Sequence, residues 1–241
     1  MIRYSLVIPC YNEAANLPLL IDRCQKHLTR PDLEVILVDN GSTDDSPNLL
    51  QRLPGDGGLI RSIRVPVNQG YGFGILSGLR AAKGEILAWT HADLQTDPAD
   101  ILRALDLYAR EANPERLFVK GRRSGRPWGD VVFTLGMSLF ETLLLRHLFW
   151  DINAQPTLFS RAHFQTWVDP PHDFSLDLYA YHQARTAGLQ IRRFPVIFGK
   201  RAHGISHWNI NWRSKVKFIK RTVAFSLQLR QRIRVSQTVP R

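Results

Sequence analysis

The stretch that decides the fold, residues 85–98, reads EILAWTHADLQTDP. Its apolar start, Ile86–Trp89, is typical of a buried strand, and His91, Asp93 and Gln95 follow at alternate positions. In an extended segment, residues two apart share a face, so these three side chains are predicted to point the same way beyond the strand. Open α/β sheets bind ligands at the carboxyl ends of their strands. A carboxylate there, flanked by nitrogen and oxygen donors, suits a divalent ion that carries a diphosphate.

The same residues allow a simpler interpretation. The strand would then end in a polar turn whose only task is to lead into the next helix, with Asp97-Pro98 at its start. The segment alone does not separate the two interpretations.

Strands and helices alternate through the first half of the chain. Strand patterns occupy residues 4–9, 34–39, 60–66 and 85–90, and helical spacing of apolar residues occupies 15–28, 45–52, 74–82 and 97–109. Ser42 or Thr43 is predicted to cap the helix at 45–52, and residues 70–74 are predicted to form a loop. This alternation predicts an α/β fold, with a mixed, mainly parallel sheet flanked by helices.

The second half is less regular. It predicts a strand at 117–120, a basic glycine-rich loop at 121–129, an apolar helix at 130–150, a helix at 174–187 and a strand at 192–198. The apolar run 131–145 contains Glu141 and is predicted to be too short to span a bilayer comfortably. We expect one large domain over residues 1–207 and a tail over 208–241.

Charge is distributed unevenly along the chain. The net charge is +11, and the 64 residues after Asp177 contain 14 Lys and Arg but no Asp or Glu. Such asymmetry indicates an anionic partner, which could be a membrane surface, a nucleic acid or a phosphorylated substrate. The two cysteines have no metal-binding spacing, and the chain enters a strand pattern directly after Met1, so a reducing compartment and no signal peptide are expected.

The tail is predicted to be an amphipathic helix. On a helical wheel one stripe is apolar and the opposite arc is basic; they contain, respectively, Trp212, Val216, Ile219, Val223 and Leu227, and Arg213, Lys217, Lys220 and Arg221. This pattern favours a helix that lies in a membrane interface. The alternatives are a terminal helix that packs on its own core and, less favoured because no recognition module is present, a nucleic-acid contact.

Four segments together resemble family 2 glycosyltransferases with the GT-A fold. They are LVIPCYNEAANL (6–17), VILVDNGSTDDSP (35–47), NQGYGFGILSGLRAAKGEILAWTHADLQTDP (68–98) and RAHGISHW (201–208). The resemblance covers about residues 4–207 and is strongest to polyprenyl-phosphate glycosyltransferases of the dolichyl-phosphate mannose synthase type. It implies that residues 1–207 form the catalytic domain.

The resemblance implies a nucleotide pocket at three strand ends. Its expected residues are Pro9, Tyr11, Glu13, Asp39, Asn40, Ala92 and Asp93. Asn40 departs from the paired acids usual in the family, which removes one charge but keeps a hydrogen-bonding group. Two simpler roles remain open: Glu13 could only complement a helix dipole, and Asp39 could only cap the turn at Gly41.

The resemblance also implies a divalent ion, Mg²⁺ or Mn²⁺, on the diphosphate. Asp93 matches the second acid of the family's D-x-D motif, and Gln95 matches a further ligand position. His91 stands where the first acid is usual. Because imidazole binds Mn²⁺ better than Mg²⁺, a shifted metal preference or a weaker metal dependence is expected.

The implied chemistry is a single displacement at an anomeric carbon. A phosphate acceptor is largely ionised near neutral pH, so it needs cationic groups rather than a general base. Candidates are Arg122 or Arg123, and Arg201, Ser206 and His207; His207 replaces the family's Lys. Asp177 is the candidate base for a hydroxyl acceptor and would otherwise position the sugar. The catalytic set is therefore Asp93, Arg122, Asp177 and Arg201.

The sequence thus predicts an inverting glycosyltransferase. It would move a sugar from a nucleotide-diphosphate sugar to a polyprenyl phosphate, as a peripheral enzyme at the cytoplasmic face of the membrane or one recruited by a membrane subunit. Three alternatives remain: a glycosyltransferase with a hydroxyl acceptor, a nucleotide-binding relative without catalysis, and a basic nucleic-acid binder, the least favoured.

Overall fold

A computed structural model describes residues 1–54, 58–203 and 212–238, with side chains of the last helix described at 216 and 219–231. The chain divides into two compact units. The first contains Met1–Arg126 and Asn153–His203, and the second contains Pro127–Ile152 and the segment after residue 203.

A seven-stranded sheet forms the centre of the first unit. Its strands are β1 (Tyr4–Cys10), β2 (Leu33–Asn40), β3 (Ile60–Val65), β4 (Ile86–Trp89), β5 (Leu117–Ser124), β6 (Thr157–Ser160) and β7 (Gln190–Ile197). Their order is β3-β2-β1-β4-β6-β5-β7. Only β6 runs antiparallel to its neighbours, β4 and β5. The prediction of a mixed, mainly parallel sheet is confirmed.

Helices flank this sheet, as predicted. In the first unit they are α1 (Leu17–His27), α2 (Ser46–Gln51), α3 (Tyr71–Ala81), α4 (Asp100–Ala109), α6 (Arg161–Gln165) and α7 (Leu176–Thr186). The helices of the second unit, described by itself below, are α5 (Trp128–Leu145) and α8 (Trp212–Thr238).

The core of the first unit lies around β1 and β2. All eight residues of β2 are buried, which is why its sequence is apolar without alternation. Helix α3 packs closely on these strands because Gly78 has no side chain: a Cβ there would lie 2.3 Å from Val7 Cγ1. Burial of these strands fixes where their carboxyl ends lie, and the polar segments follow at those ends.

Three local predictions are wrong for identifiable reasons. Helix α3 begins at Tyr71 rather than 74, because Gly70 makes the entry turn with φ 110°. Strand β5 continues through the predicted loop as far as Ser124, because it pairs with β7 along its whole length. Strand β6, with only four residues, was not predicted; its pairing with β4 and β5 places it in the interior of the sheet.

Ser42 and Thr43 do not cap α2, whose N-cap is Asp45. Both residues contact the loop after β1 instead. Ser42 Oγ accepts a hydrogen bond from Asn12 N at 3.0 Å, and Thr43 N donates to Asn12 Oδ1 at 2.8 Å. The two turns after β1 and β2 therefore support each other.

The second unit joins α5 and α8. Ser226 Oγ of α8 donates to Glu141 Oε1 of α5 at 2.6 Å, and Ser226, Glu141 and Leu229 are buried. Helix α5 ends at Leu145 because Arg146 is left-handed, with φ 58°, so the predicted helix 130–150 is shorter than expected. Part of the tail thus packs within the protein.

Helix α5 exposes a row of large apolar side chains. Trp128, Val132, Leu135, Leu139 and Leu143 are exposed and recur at helical spacing on one face. Within the described residues, α5 is the one helix whose length and apolar composition would allow it to cross a membrane; 17% of its residues are buried. The helix is longer than the apolar run 131–145, which was expected to be too short to span a bilayer comfortably, because the structured helix begins at Trp128 and has 18 residues.

Candidate active site

The candidate site lies where the sheet changes direction. Strand β1 pairs in parallel with both β2 and β4. The chain runs from β1 through β2 to β3 on one side and then crosses to β4 on the other side of β1, so the strand order reverses there. Such a switch point opens a crevice at the carboxyl ends of the two strands. Glu13 follows β1 and Asp93 follows β4, so the topology brings two acidic residues to this crevice.

The polar segment after β4 is a turn rather than an extension of the strand. β4 ends at Trp89, and Leu94 has φ 57°. Asp93 Oδ1 accepts a hydrogen bond from Gln95 N at 3.2 Å. The premise that alternate residues share a strand face is therefore wrong here, and the turn itself aims the side chains.

Asp93 and Gln95 meet on one cation, the guanidinium of Arg201. Arg201 Nη2 lies 2.9 Å from Asp93 Oδ2, and Arg201 Nε donates to Gln95 Oε1 at 3.3 Å. The Gln95 backbone binds the same segment, since Gly199 N donates to Gln95 O at 2.7 Å. The structure thus brings together three of the predicted site residues, from sequence positions more than 100 residues apart.

Glu13 belongs to the same electrostatic cluster. Burial raises the pKa of Glu13, and the charge of Asp93 raises it further, while a hydrogen bond from Asn16 and the charge of Arg201 oppose the rise. Asn16 Nδ2 donates to Glu13 Oε2. The charges of Asp93 and Arg201 therefore reach the Glu13 carboxyl, which lies in the same crevice.

His91 is part of an aromatic stack. Tyr71 lies parallel to Phe174, with ring centroids 4.5 Å apart, and its other neighbour in the stack is His91, at 5.6 Å. Burial lowers the pKa of His91, against the opposing charges of Asp93 and Asp177. The imidazole is therefore neutral near pH 7 and keeps a nitrogen lone pair.

The arrangement suits a cation at Asp93 and Gln95. Their two oxygens converge on the Arg201 guanidinium, so a positive charge is already accommodated there. Oxygen ligands suit Mg²⁺ and Mn²⁺, which would complete their shells with water and diphosphate oxygens. Within the described ranges, no group of three or more His, Cys, Asp and Glu could hold a metal ion.

Asp39, at the end of β2, is buried and engaged on both oxygens. Its Oδ1 accepts a hydrogen bond from Ser42 N at 2.9 Å, and Oδ2 lies 3.3 Å from Arg64 Nε. The turn-capping role is therefore real. Asp39 and Arg64 also line a cavity with Ser62. A ligand role for the Asp39 carboxylate is therefore compatible with its turn-capping hydrogen bond to Ser42.

The other predicted nucleotide residues differ in exposure. Tyr11 is exposed, Pro9 is half-buried and Ala92 is buried. Asn40 is buried, and its Nδ2 donates to Gly70 O at 2.9 Å, so it fixes the entry turn of α3. Asn40 thus has a structural task whether or not it contacts a nucleotide.

Asp177 lies at the centre of a buried network. Gln155 Nε2 donates to Asp177 Oδ1, Lys120 Nζ lies 4.0 Å from that oxygen, and Lys120 also donates to Thr157 Oγ1 at 2.8 Å. Burial raises the pKa of Asp177, while Lys120 lowers it. Sequence reasoning missed Lys120 and Gln155, because their contacts with Asp177 form only in the fold.

The predicted phosphate ligands are only partly described. Arg122 is exposed on β5, and Ser206 and His207 lie outside the described residues. Arg123 packs over the Phe198 ring at 5.1 Å, and its charge contributes to the lowered pKa of His91. Of the two arginines left open by the sequence, Arg123 is therefore the one with a described electrostatic effect on the site.

Comparisons with known proteins agree with this geometry. Relatives from Yersinia enterocolitica and Serratia proteamaculans, both named undecaprenyl-phosphate 4-deoxy-4-formamido-L-arabinose transferase, are 38% identical over 110 residues and 39% over 106. These matches cover 44% and 42% of this chain. They span about a third of each relative, 33% and 32%.

Solved structures show the same fold. Glucosyl-3-phosphoglycerate synthase from Mycobacterium tuberculosis, with UDP, superposes with a TM-score of 0.70 at 20% identity, over 95% of this chain and 80% of the other. A mannosyltransferase from Pyrobaculum calidifontis, with GDP-Man and Mn²⁺, gives 0.65 at 18% identity, over 94% and 64%. The expected GT-A fold is confirmed.

A family model supplies the classification. The model described as "Glycosyl transferase family 2" matches residues 5–159, more than half of the 241 residues. This match runs from β1 through the β4 turn to β6 and so includes Glu13, Asp39 and Asp93. The chain belongs to glycosyl transferase family 2.

Proposed function

We propose that this chain is an inverting glycosyltransferase that moves a sugar from a nucleotide-diphosphate sugar to a polyprenyl phosphate. The observation that carries the proposal is the meeting of Asp93, Gln95 and Arg201 at the switch point, beside Glu13. Acidic and amide oxygens suit a metal-bound diphosphate, and a guanidinium suits an acceptor phosphate. The names of the matched relatives, which are undecaprenyl-phosphate sugar transferases, support the acceptor class.

The donor half of the site is assigned to the ends of β1, β2 and β4. In this proposal Asp39 accepts from the base and Glu13 lies beside the ribose, with Pro9, Tyr11, Asn40 and Ala92 as further nucleotide-binding residues. Asp39 is already buried next to Arg64, so the place that a base N–H would enter is polar before the nucleotide binds. Which base and which sugar are bound stays open.

A divalent ion, Mg²⁺ or Mn²⁺, is part of the proposal. Asp93 and Gln95 would hold it, and His91 is a third candidate because its imidazole is neutral. When bound, such an ion offsets the charge that builds on the departing nucleoside diphosphate. Solved structures of both neighbours, the glucosyl-3-phosphoglycerate synthase and the mannosyltransferase, contain Mn²⁺, which is consistent with this choice.

The acceptor half is assigned to Arg201 and to Arg122 or Arg123, with Ser206 and His207 as predicted further ligands. Asp177 has 1% exposure and is held by Gln155 and Lys120, so we assign it a positioning role rather than that of a base. An ionised phosphate acceptor needs no base, and this assignment therefore fits a phosphate better than a hydroxyl.

Contact with a membrane surface completes the proposal. The exposed apolar face of α5 would enter the lipid interface, and basic residues of the same unit, such as Lys220 of α8, would face anionic headgroups. We place the protein on the inner, cytoplasmic face, either as a peripheral enzyme or beside a membrane subunit. No role for nucleic acid is proposed.

The test is transfer from a panel of nucleotide sugars to short-chain polyprenyl phosphate, with Mg²⁺, Mn²⁺ or chelator. We expect a lipid-linked product that disappears with chelator. Product with a soluble sugar acceptor, and none with the lipid, would instead identify a hydroxyl acceptor. Nucleotide-diphosphate binding without turnover on any acceptor would identify a non-catalytic relative.

A further inference from the structure

The side chain of Arg201 fills the place where a metal-bound diphosphate is proposed to lie. Arg201 Nη2 lies 2.9 Å from Asp93 Oδ2, and its Nε bonds Gln95 Oε1. The other Asp93 oxygen is already bonded to the Gln95 backbone. The Asp93 side chain is only 10% exposed, so little of this carboxylate is open to solvent.

A guanidinium and a divalent ion cannot share these two oxygens. Both are cations, and in a half-buried crevice like charges a few ångströms apart repel strongly. Each therefore excludes the other from Asp93. An ion that binds Asp93 must displace Arg201, and the displaced guanidinium needs a new anionic partner.

We propose that Arg201 is a cation gate: it occupies Asp93 and Gln95 in the donor-free protein, and binding of the metal and the nucleoside diphosphate releases it to the acceptor phosphate. The inference rests on the proposed function and adds an order of events to it. Donor and metal bind first, and the acceptor binds tightly only afterwards. Because coupling between sites is reciprocal, bound acceptor phosphate must strengthen metal binding by the same factor.

The backbone around Arg201 is arranged for a side-chain movement. On one side, Gly199 N donates to Gln95 O at 2.7 Å, and on the other, Asn16 Nδ2 donates to His203 O at 3.3 Å. These bonds hold the segment on the ends of β1 and β4. The Arg201 side chain between them is 26% exposed, so it can leave Asp93 by changing rotamer without undocking the segment.

The decisive experiment measures Mn²⁺ binding in the absence of any lipid, by electron paramagnetic resonance of free Mn²⁺ with UDP or GDP present. We expect Arg201→Gln to bind Mn²⁺ about fivefold to tenfold more tightly than the unmodified protein, since one half-buried ion pair no longer competes. Arg201→Lys keeps a charge but cannot bridge both oxygens, so it should lie between the two. Arg192→Gln, which removes an exposed ion pair with Glu111, is the matched control.

A second titration follows short-chain polyprenyl phosphate, with and without Mn²⁺ and nucleoside diphosphate. Ligands should tighten acceptor binding in the unmodified protein and leave that of Arg201→Gln unchanged. Unchanged or weaker Mn²⁺ binding in both Arg201 variants would overturn the gate. Tighter Mn²⁺ binding in the variants, with no lipid binding in any protein, would support the gate and reject the proposed acceptor.

Discussion

Two buried carboxylates, one in each unit, differ in the partners that surround them. Asp93 lies at a crevice and shares a guanidinium with Gln95. Glu141 lies between α5 and α8, where Ser226 donates to one oxygen and no described residue donates to the other. Burial raises the pKa of Glu141 to about 7. Asp93 is held by a cationic partner that a bound metal ion would have to displace, whereas Glu141 is a packing group whose carboxyl has a pKa near neutral pH.

The largest expected effect comes from the carboxylate with the cationic partner. Asp93→Asn removes the charge and keeps the shape, so transfer should fall by about a thousandfold or more, together with metal-dependent donor binding. Steady-state transfer and Mn²⁺ titration measure both. Asp106→Asn, on the exposed side of α4, is the control. Full activity of Asp93→Asn would remove the metal assignment.

Asp177 extends the comparison to a third buried carboxylate, whose cationic partner is Lys120. Lys120→Met leaves Asp177 buried without its cation, which should lower the free energy of unfolding by about 3–5 kcal/mol. Denaturant unfolding near pH 7 gives this value. Adding Asp177→Asn should restore much of the loss, since no charge then remains buried. Equal stability of the single and double variants would show that the pair is not coupled.

Glu141 predicts that the free energy of unfolding depends on pH. Its folded pKa of about 7 exceeds the unfolded value of about 4.3, so its contribution to stability is complete below about pH 4 and is lost as pH rises through 7. Glu141→Gln should therefore raise the free energy of unfolding by about 2–3 kcal/mol at pH 8 relative to the unmodified protein. Melting curves at pH 4, 6 and 8 test this. A constant difference across pH would show that Glu141 does not titrate in this range.

The smallest effect is expected at the exposed face of α5. Replacing Leu139 and Leu143 by Ser should weaken binding to anionic vesicles about tenfold, since each exposed side chain would bury apolar area in the lipid. Val168→Ser, equally exposed in the first unit, is the control in vesicle sedimentation. Removal of residues 208–241 should likewise weaken vesicle binding more than donor binding. Unchanged vesicle binding in both would reject the lipid contact.

Much of the first half of the fold could be predicted because its signals are local. Continuous apolar runs mark β1 and β2, and the motifs at their ends carry the family resemblance. The short strand β6 could not be predicted, since its four residues become a strand only by pairing with β4 and β5. The same holds for the end of β5, whose basic residues look like a loop until β7 lies beside them.

The site divides in the same way. Asp93, Gln95 and Arg201 could each be chosen from their motifs, but their contact could not, because more than 100 residues separate Arg201 from the other two. Lys120 carried no signal at all, as a lysine in a strand is usually exposed. Its burial reflects Asp177 and Thr157, which reach it from α7 and β6.

The sequence by itself determined the family, the sheet-forming strands of the first half and the acidic groups at their ends, because hydrophobic periodicity and short motifs act over a few residues. The tertiary structure alone decided which charges meet. It brought Arg201 to Asp93 and Gln95, buried Lys120 against Asp177, and paired Glu141 with the hydroxyl of Ser226. The physical reason is that a charge in a low-dielectric environment is governed by its nearest partners, and only folding determines which residues those are.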